Sequence, residues 1–426
     1  MIPALVRSTA RLAGRHRHVN WALADQAMIS GVNFLTGILL ARFLGIEEFG
    51  RFTLAWMVVL FAAAIQNAAI NSPMMSIGSQ QAEEDAPAYY GAVFAQQAVF
   101  TALSVVIVFA GTAAAARWFP QWNIDGLALP LAAAAAAYHT QDFLRRYFFT
   151  RGRPSAAFAA DATCYLGRLA LLVCLFFAFT GMDSHYALWA IAAMTAVATL
   201  CAAFLVEPLR WVPEVARSVT RRHGGFSKWL VLSRLTKWTS SQLFYIATGA
   251  LLGAAAVGAL RAARNLMGVT HILLMGLENI VPVRAAQHFQ RGGVKALKEY
   301  LRRVSWIGGS VTAFVALAFA VAPGFWLDLF YGGSYAGYGY LIRWFAAVYI
   351  LIFMELPLRA ALRAIEQTQP IFSANLWASL FSLAAVYPLI HWFELYGVMA
   401  GLLITQVIVQ ATLWWALRSK MAQRTI

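Results

Sequence analysis

The sequence predicts an all-α polytopic membrane protein. It should have about twelve transmembrane helices in two six-helix repeat halves around a central cavity, with both termini cytoplasmic. Three observations predict this. Of 426 residues, 61% are hydrophobic and 12% charged, against about 25% charged in a soluble domain. Windows such as LALPLAAAAAAYHT and LALLVCLFFAFTGM run without charge and read as parts of membrane spans. Finally, turn residues recur at one offset. Leu44, Gly45, Gly50 and Pro73 have counterparts Leu252, Gly253, Gly258 and Pro282, 208 or 209 positions later. Recurrence at one offset marks an internal repeat.

The elements follow in order. Residues 1–18 form a basic segment, too weakly apolar for a signal peptide, which belongs on the inner membrane surface. The first half, 19–207, holds spans at 19–41, 51–73, 91–114, 126–144, 155–180 and 186–207. A proline is expected to end the second span of each half. A basic linker, 208–227, leads to the second half, 228–417, with spans at 228–252, 258–281, 304–327, 340–358, 370–390 and 395–417. Residues 418–426 form a short tail. Two halves that both start inside are parallel repeats, related by an axis along the membrane normal.

Orientation follows from Lys and Arg. Segments placed inside carry 24 of them, including Arg145, Arg146, Arg302 and Arg418. Those placed outside carry Arg42, Arg51 and Arg117. This is the positive-inside bias of a multi-pass protein with both ends in the cytoplasm. It also accounts for the net charge of +15 without nucleic acid as a partner. The inside loop GSQQAEEDAPAYY is acidic, but the rule counts basic residues.

Chemistry is sparse. There is no HExxH, GxSxG or Walker loop, and no loop large enough to carry a catalytic domain. No enzyme, catalytic residue or metal site is expected. Cys164, Cys174 and Cys201 fall in apolar runs and read as buried apolar residues. No cofactor is expected; H+ and Na+ are the coupling-ion candidates.

The informative residues are cations inside spans, each costing about 2.5–3.5 kcal/mol on the insertion scale. Arg234, Lys237, Ser241 and Tyr245 share one helix face, as do Arg261, Arg264, Asn265, Gly268 and His271. Gln26, Ser30 and Asn33 form a polar stripe on the first span, and Asn67 and Asn71 on the second. Facing polar stripes would line a central cleft. The competing account is snorkelling: Arg261 and Arg264 lie about 5–9 Å from the outer end of their span, and Arg234 and Lys237 about 9–14 Å from the inner end. Asp25, Glu47, Glu48 and Glu278 are gate or coupling candidates. Asp25 would pair with Arg234 and Lys237 when the inner side closes, and Glu47 and Glu48 with Arg261 and Arg264 when the outer side closes. Asp161 and Arg168 read as structural, and Glu355 as a helix partner of Arg359.

The stretch ARFLGIEEFGRFTLAW, Ala41 to Trp56, resembles the first turn of the polysaccharide-transporter family, the O-antigen and exopolysaccharide (Wzx-like) flippases of the MATE/MOP superfamily. Arg42, Leu44, Gly45, Phe49, Gly50, Phe52, Leu54 and Ala55 carry the resemblance. Many members have fourteen spans, where twelve are read here. The resemblance implies flipping of a polyprenyl-pyrophosphate-linked saccharide from the inner to the outer leaflet of the bacterial cytoplasmic membrane. Lipid-linked saccharide and membrane lipids would be the partners, along with other polysaccharide biosynthesis or export proteins. Arg234, Lys237, Arg261 and Arg264 would then receive the pyrophosphate, which arginine grips bidentately. The alternative is a MATE-like cation- or drug-coupled multidrug exporter. It would want acids in its cavity, and Asp25 keeps it open.

Overall fold

The computed structural model describes residues 2–179 and 181–422. The side chains of residues 2–20 and of a few others, including the candidate His271, lie outside the described set. Among the described residues the chain is helical with no strand. The long helices are α1 (Ile2–Gln66), α2 (Ala86–Trp118), α3 (Ala128–Thr150), α4 (Pro154–Ala178), α5 (Ser184–Ala203) and α6 (Pro213–Leu252). They continue with α7 (Ala254–Leu266), α8 (Gly268–Val321), α9 (Pro323–Tyr331), α10 (Gly339–Ala364) and α11 (Gln369–Ala422).

Among the described residues, seven helical stretches are long and apolar enough to cross a membrane, and Ala24–Gly78 and Gln369–Met421 hold 55 and 53 residues. At 1.5 Å per residue each would extend about 80 Å, roughly twice a bilayer with its headgroups. Each is therefore two crossings joined by a local break. The break in α1 is Gly45, at φ 73° and ψ 176°. The break in α11 is Glu394, at φ 49° and ψ −130°. In α8 the break falls at Gly292 and Gly293. These divide the helices into the arms expected at 19–41 and 51–73, and at 370–390 and 395–417. A non-glycine residue at positive φ is strained, and here the surrounding turn is tight: a Cβ on Gly397 would lie 1.8 Å from the carbonyl oxygen of Leu389.

Two expectations are corrected. Pro73 and Pro282 do not end helices. After Pro73 the chain continues as a π-helical turn, Met74–Gly78, preceded by another, Asn67–Asn71. Pro282 lies inside α8. A wider turn re-forms the hydrogen bonds that proline removes, as membrane helices commonly allow. Likewise, the basic segment 208–227 is helical from Pro213 onward.

The chain forms two compact units. The first comprises Met1–Leu39 and Ala55–Arg234, the second Leu40–Leu54 and Leu235–Ile426. The first has a core of Met74, Val93, Phe143, Tyr147, Phe148 and Ala157. Its rings meet edge to face, Phe94 on Phe143 at 4.8 Å and Tyr90 on Tyr147 at 5.2 Å, a favoured aromatic geometry. The second has a core of Leu274, Leu297, Phe353, Ala361, Ala378 and Leu413, drawn from α8, α10 and α11.

Residues 40–54 belong to the second unit because their helix crosses α7 backbone to backbone. Gly253, like Gly45, is extended at positive φ (86°, ψ 177°). A Cβ on Gly50 would sit 1.8 Å from the carbonyl oxygen of Ala254, and one on Gly258 would sit 2.0 Å from that of Ile46. The two contacts map onto each other under the 208-residue offset, so the repeat seen in sequence is also a local two-fold in contact. Small residues at such crossings let helix backbones approach. Gly50→Ala should therefore destabilise the protein by about 2 kcal/mol or more, as overpacking does. Gly31→Ala, which meets nothing within 4 Å, should not. Thermal unfolding of the two purified variants compares them directly.

In the first unit the early turns of α6 dock by polar contacts. Tyr89 Oη lies 3.0 Å from His223 Nε2, and Gln96 Nε2 donates to Thr220 Oγ1 at 3.0 Å. Burial, with a smaller contribution from Arg222, pushes the His223 pKa down to about 4. The unfolded chain would protonate His223 near pH 6.5. Stability should thus be flat above that pH and fall as the pH drops from about 6.5 to about 4, because only the unfolded state binds the proton. Melting temperatures of wild type and His223→Gln across that window test this; the variant should lack this component of the slope.

Candidate functional site

Two buried ionic clusters stand out, one in each unit. In the second unit, Arg261 and Arg264 lie one turn apart on α7. Because α7 begins at Ala254, they sit seven and ten residues along it, roughly 10–15 Å from that end. This is deeper than the sequence-derived span implied. Both are half-buried. The Arg264 guanidinium lies 5.4 Å from the Tyr245 ring centroid, and Arg261 sits one turn before it on the same helix. Tyr331 is fixed by donating to the Ala262 carbonyl at 3.0 Å, and Asn265 Nδ2 lies 3.5 Å from its hydroxyl. The ring contact opposes snorkelling, since the guanidinium of Arg264 lies over Tyr245.

Among the described residues neither arginine has a carboxylate partner. Two positive charges one turn apart repel by about 3 kcal/mol at an effective dielectric of 20. Such a pair is complementary to an anion with several oxygens, since each guanidinium offers a fork of donors.

Arg234 and Lys237, on α6, are both exposed. The serines beside them bond their own helix: Ser240 Oγ donates to the Lys237 carbonyl at 2.9 Å, and Ser241 Oγ to that of Trp238 at 3.1 Å. Two open grooves of the second unit, about 800 and 1260 Å³ in volume, touch none of these four cations.

In the first unit, Asp25 and Asp161 are fully buried and share Arg145. Arg145 Nη2 donates to Asp25 Oδ2 at 2.7 Å, and its Nε to Asp161 Oδ2 at 2.6 Å. Gln141 donates to the second oxygen of Asp161. Asp25 Oδ1 is buried without a hydrogen-bond partner. Two acids and one base leave one formal negative charge uncompensated unless a proton or another cation is present.

Asp25 is thus engaged with Arg145. Glu47 and Glu48 both pair with Arg51, four and three residues along their own helix. Glu278 is exposed. Glu355 pairs with Arg359 as expected. Asn33 accepts from Arg168 at 2.8 Å, and Gln26 donates to Ser30 at 3.2 Å. Asn67 accepts from Ser72 at 3.4 Å. Asn71, buried, donates to Asp142, which also receives Arg146 at 3.0 Å. Sequence reasoning missed Arg145 and Arg146 as cluster members because it ended their helix at residue 144, and it passed over Asp142 inside that span. The available signal was the turn itself: Gly152 at positive φ and Pro154 at the next helix start put the boundary later.

A family model described as polysaccharide biosynthesis protein matches residues 39–339. No curated protein matches the sequence. Among solved structures, the chain is similar to an inward-facing multidrug-resistance MATE transporter of the MOP superfamily, with a TM-score of 0.71 at 14% identity, covering 93% of this chain and 95% of that one. It is also similar to the lipid II flippase MurJ in an inward closed conformation, with a TM-score of 0.68 at 12% identity, covering 94% and 87%. A third is a MOP superfamily transporter from Pyrococcus furiosus, described by the reversed polarity of its binding pocket, with a TM-score of 0.56 at 14% identity, covering 96% and 93%.

Proposed function

Because the chain belongs to the polysaccharide biosynthesis protein family and has the fold of MOP-superfamily transporters, we propose that it is a lipid-linked saccharide flippase. It moves a polyprenyl-pyrophosphate-linked saccharide from the inner to the outer leaflet of the bacterial cytoplasmic membrane by alternating access, for surface or exopolysaccharide synthesis. The observation that carries this reading is the pair Arg261 and Arg264, one turn apart on α7, with Arg264 over the ring of Tyr245 and neither paired with a carboxylate among the described residues. The pyrophosphate binds these guanidinium groups. Arg234 and Lys237, exposed on α6, meet it first. The Lys and Arg bias places both termini in the cytoplasm. Proton exchange at Asp25 and Asp161 supplies the coupling, since their shared contact with Arg145 leaves room for one ion of positive charge.

The second reading, a multidrug exporter, draws on the same buried acids. The two are separated by binding to the purified protein of a radiolabelled polyprenyl-pyrophosphate saccharide and of cationic dyes. The flippase reading expects saturable lipid binding that pyrophosphate competes away, and no saturable dye binding. Dye binding without lipid binding would replace it with the exporter.

A further inference from the structure

The second unit carries a groove apart from either ionic cluster. It lies between the arm of α8 after Gly293, α10 and α11, and encloses about 800 Å³. One end is rimmed by Lys298, Arg302 and Arg418, all exposed, and no acid lines it. Away from the rim the walls are mostly apolar, with Leu351, Met354 and Val407 farthest from the helix ends; Ser305 also lines the groove, as does Gln410, whose amide is turned to the Leu351 carbonyl.

Its dimensions match one leaflet. α10 ends at Ala364 and α11 at Ala422. Leu351 and Val407 lie 13 and 15 residues back from those ends, about 20–22 Å at the helical rise. Half of a bilayer with its headgroups is likewise about 20–22 Å. The cations are therefore at headgroup level and the apolar trench at acyl-chain level. Lys298 and Arg302 are four apart on one face of α8. Arg418 faces the groove from α11, its guanidinium 4.8 Å from the Trp414 ring centroid, and Trp414 also lines the groove. Tryptophan at this depth is an interfacial anchor. Cations on two walls above a single-leaflet trench complement a phosphate headgroup joined to an acyl chain.

We propose that this groove binds one anionic phospholipid of the leaflet at the basic helix ends. Its phosphate rests on Lys298, Arg302 and Arg418, and an acyl chain runs along Met354 toward Leu351. The site is independent of the transported substrate.

The test is native mass spectrometry of the full-length protein, titrated with phosphatidylglycerol and with phosphatidylcholine of the same chains. One phosphatidylglycerol should be retained about tenfold or more tightly than phosphatidylcholine. The combined variant Lys298→Gln, Arg302→Gln, Arg418→Gln should remove that preference, by about tenfold or more given roughly one decade per 1.4 kcal/mol and three surface cations. Met354→Trp keeps the cations and fills the trench. It should weaken long-chain phosphatidylglycerol and leave a short-chain analogue unaffected, which separates site loss from misfolding. Equal retention of the two lipids, or wild-type phosphatidylglycerol affinity in the triple variant, would overturn the proposal. So would displacement by inorganic phosphate, which would mark a free-anion site. Displacement by polyprenyl phosphate at stoichiometric concentration would assign the groove to the transported lipid and overturn it equally.

Discussion

Arg261→Gln combined with Arg264→Gln will reduce transport by at least about 100-fold while the protein still inserts and folds. Hydrogen bonds to charged groups are worth about 1.5–3 kcal/mol each. Losing two such grips removes about 3–6 kcal/mol, a factor of about 10²–10⁴. Folding should survive because the arginines have no carboxylate to orphan among the described residues, and removing both like charges relieves their repulsion. Arg264→Lys should fall between, since it keeps the charge and loses the bidentate fork. The readout is outer-leaflet accessibility of the lipid-linked saccharide in cells lacking the wild-type protein. Normal accessibility in the double variant would remove the anion role from these residues and return them to a purely structural place beside Tyr245.

Arg145→Gln will act on stability instead. It leaves Asp25 and Asp161 buried with no base, and breaking a buried ionic cluster from one side costs about 3–5 kcal/mol. The variant should give little folded protein and a lowered unfolding midpoint. Adding Asp161→Asn should restore much of the loss, because an amide can still bond Gln141 without charge. Asp161→Asn alone should fold and lose coupling, read as uptake that no longer responds to an imposed pH gradient. If Arg145→Gln unfolds at the wild-type midpoint, the acids carry no net charge in the folded protein and the coupling proposal falls.

The helices were legible because a bilayer imposes a coarse rule. Spans need about twenty apolar residues, and 61% hydrophobic composition with sparse charge leaves few ways to place them. The repeat was legible from glycine, because Gly45 and Gly253 must both adopt an extended backbone at positive φ, which other residues resist. Helix ends at proline were misread, since Pro73 and Pro282 are accommodated by a π turn and by a continuing membrane helix.

Cations within spans, and which helix faces carry them, were set by sequence alone, because periodicity and insertion cost depend only on local order. Their partners were not. Arg145 reaches Asp25 across 120 positions, and Asn265 reaches Tyr331 across 66. Glu47 and Glu48 found the nearer Arg51. Once desolvated, a charge pairs with whatever packing brings within about 3 Å, and packing is decided by side-chain volumes on several helices at once. Sequence alone therefore determined a two-fold repeated helical membrane protein bearing buried charge. Only the tertiary structure decided that the buried acids share one arginine in the first unit, and that Arg264 of the second lies over the ring of Tyr245.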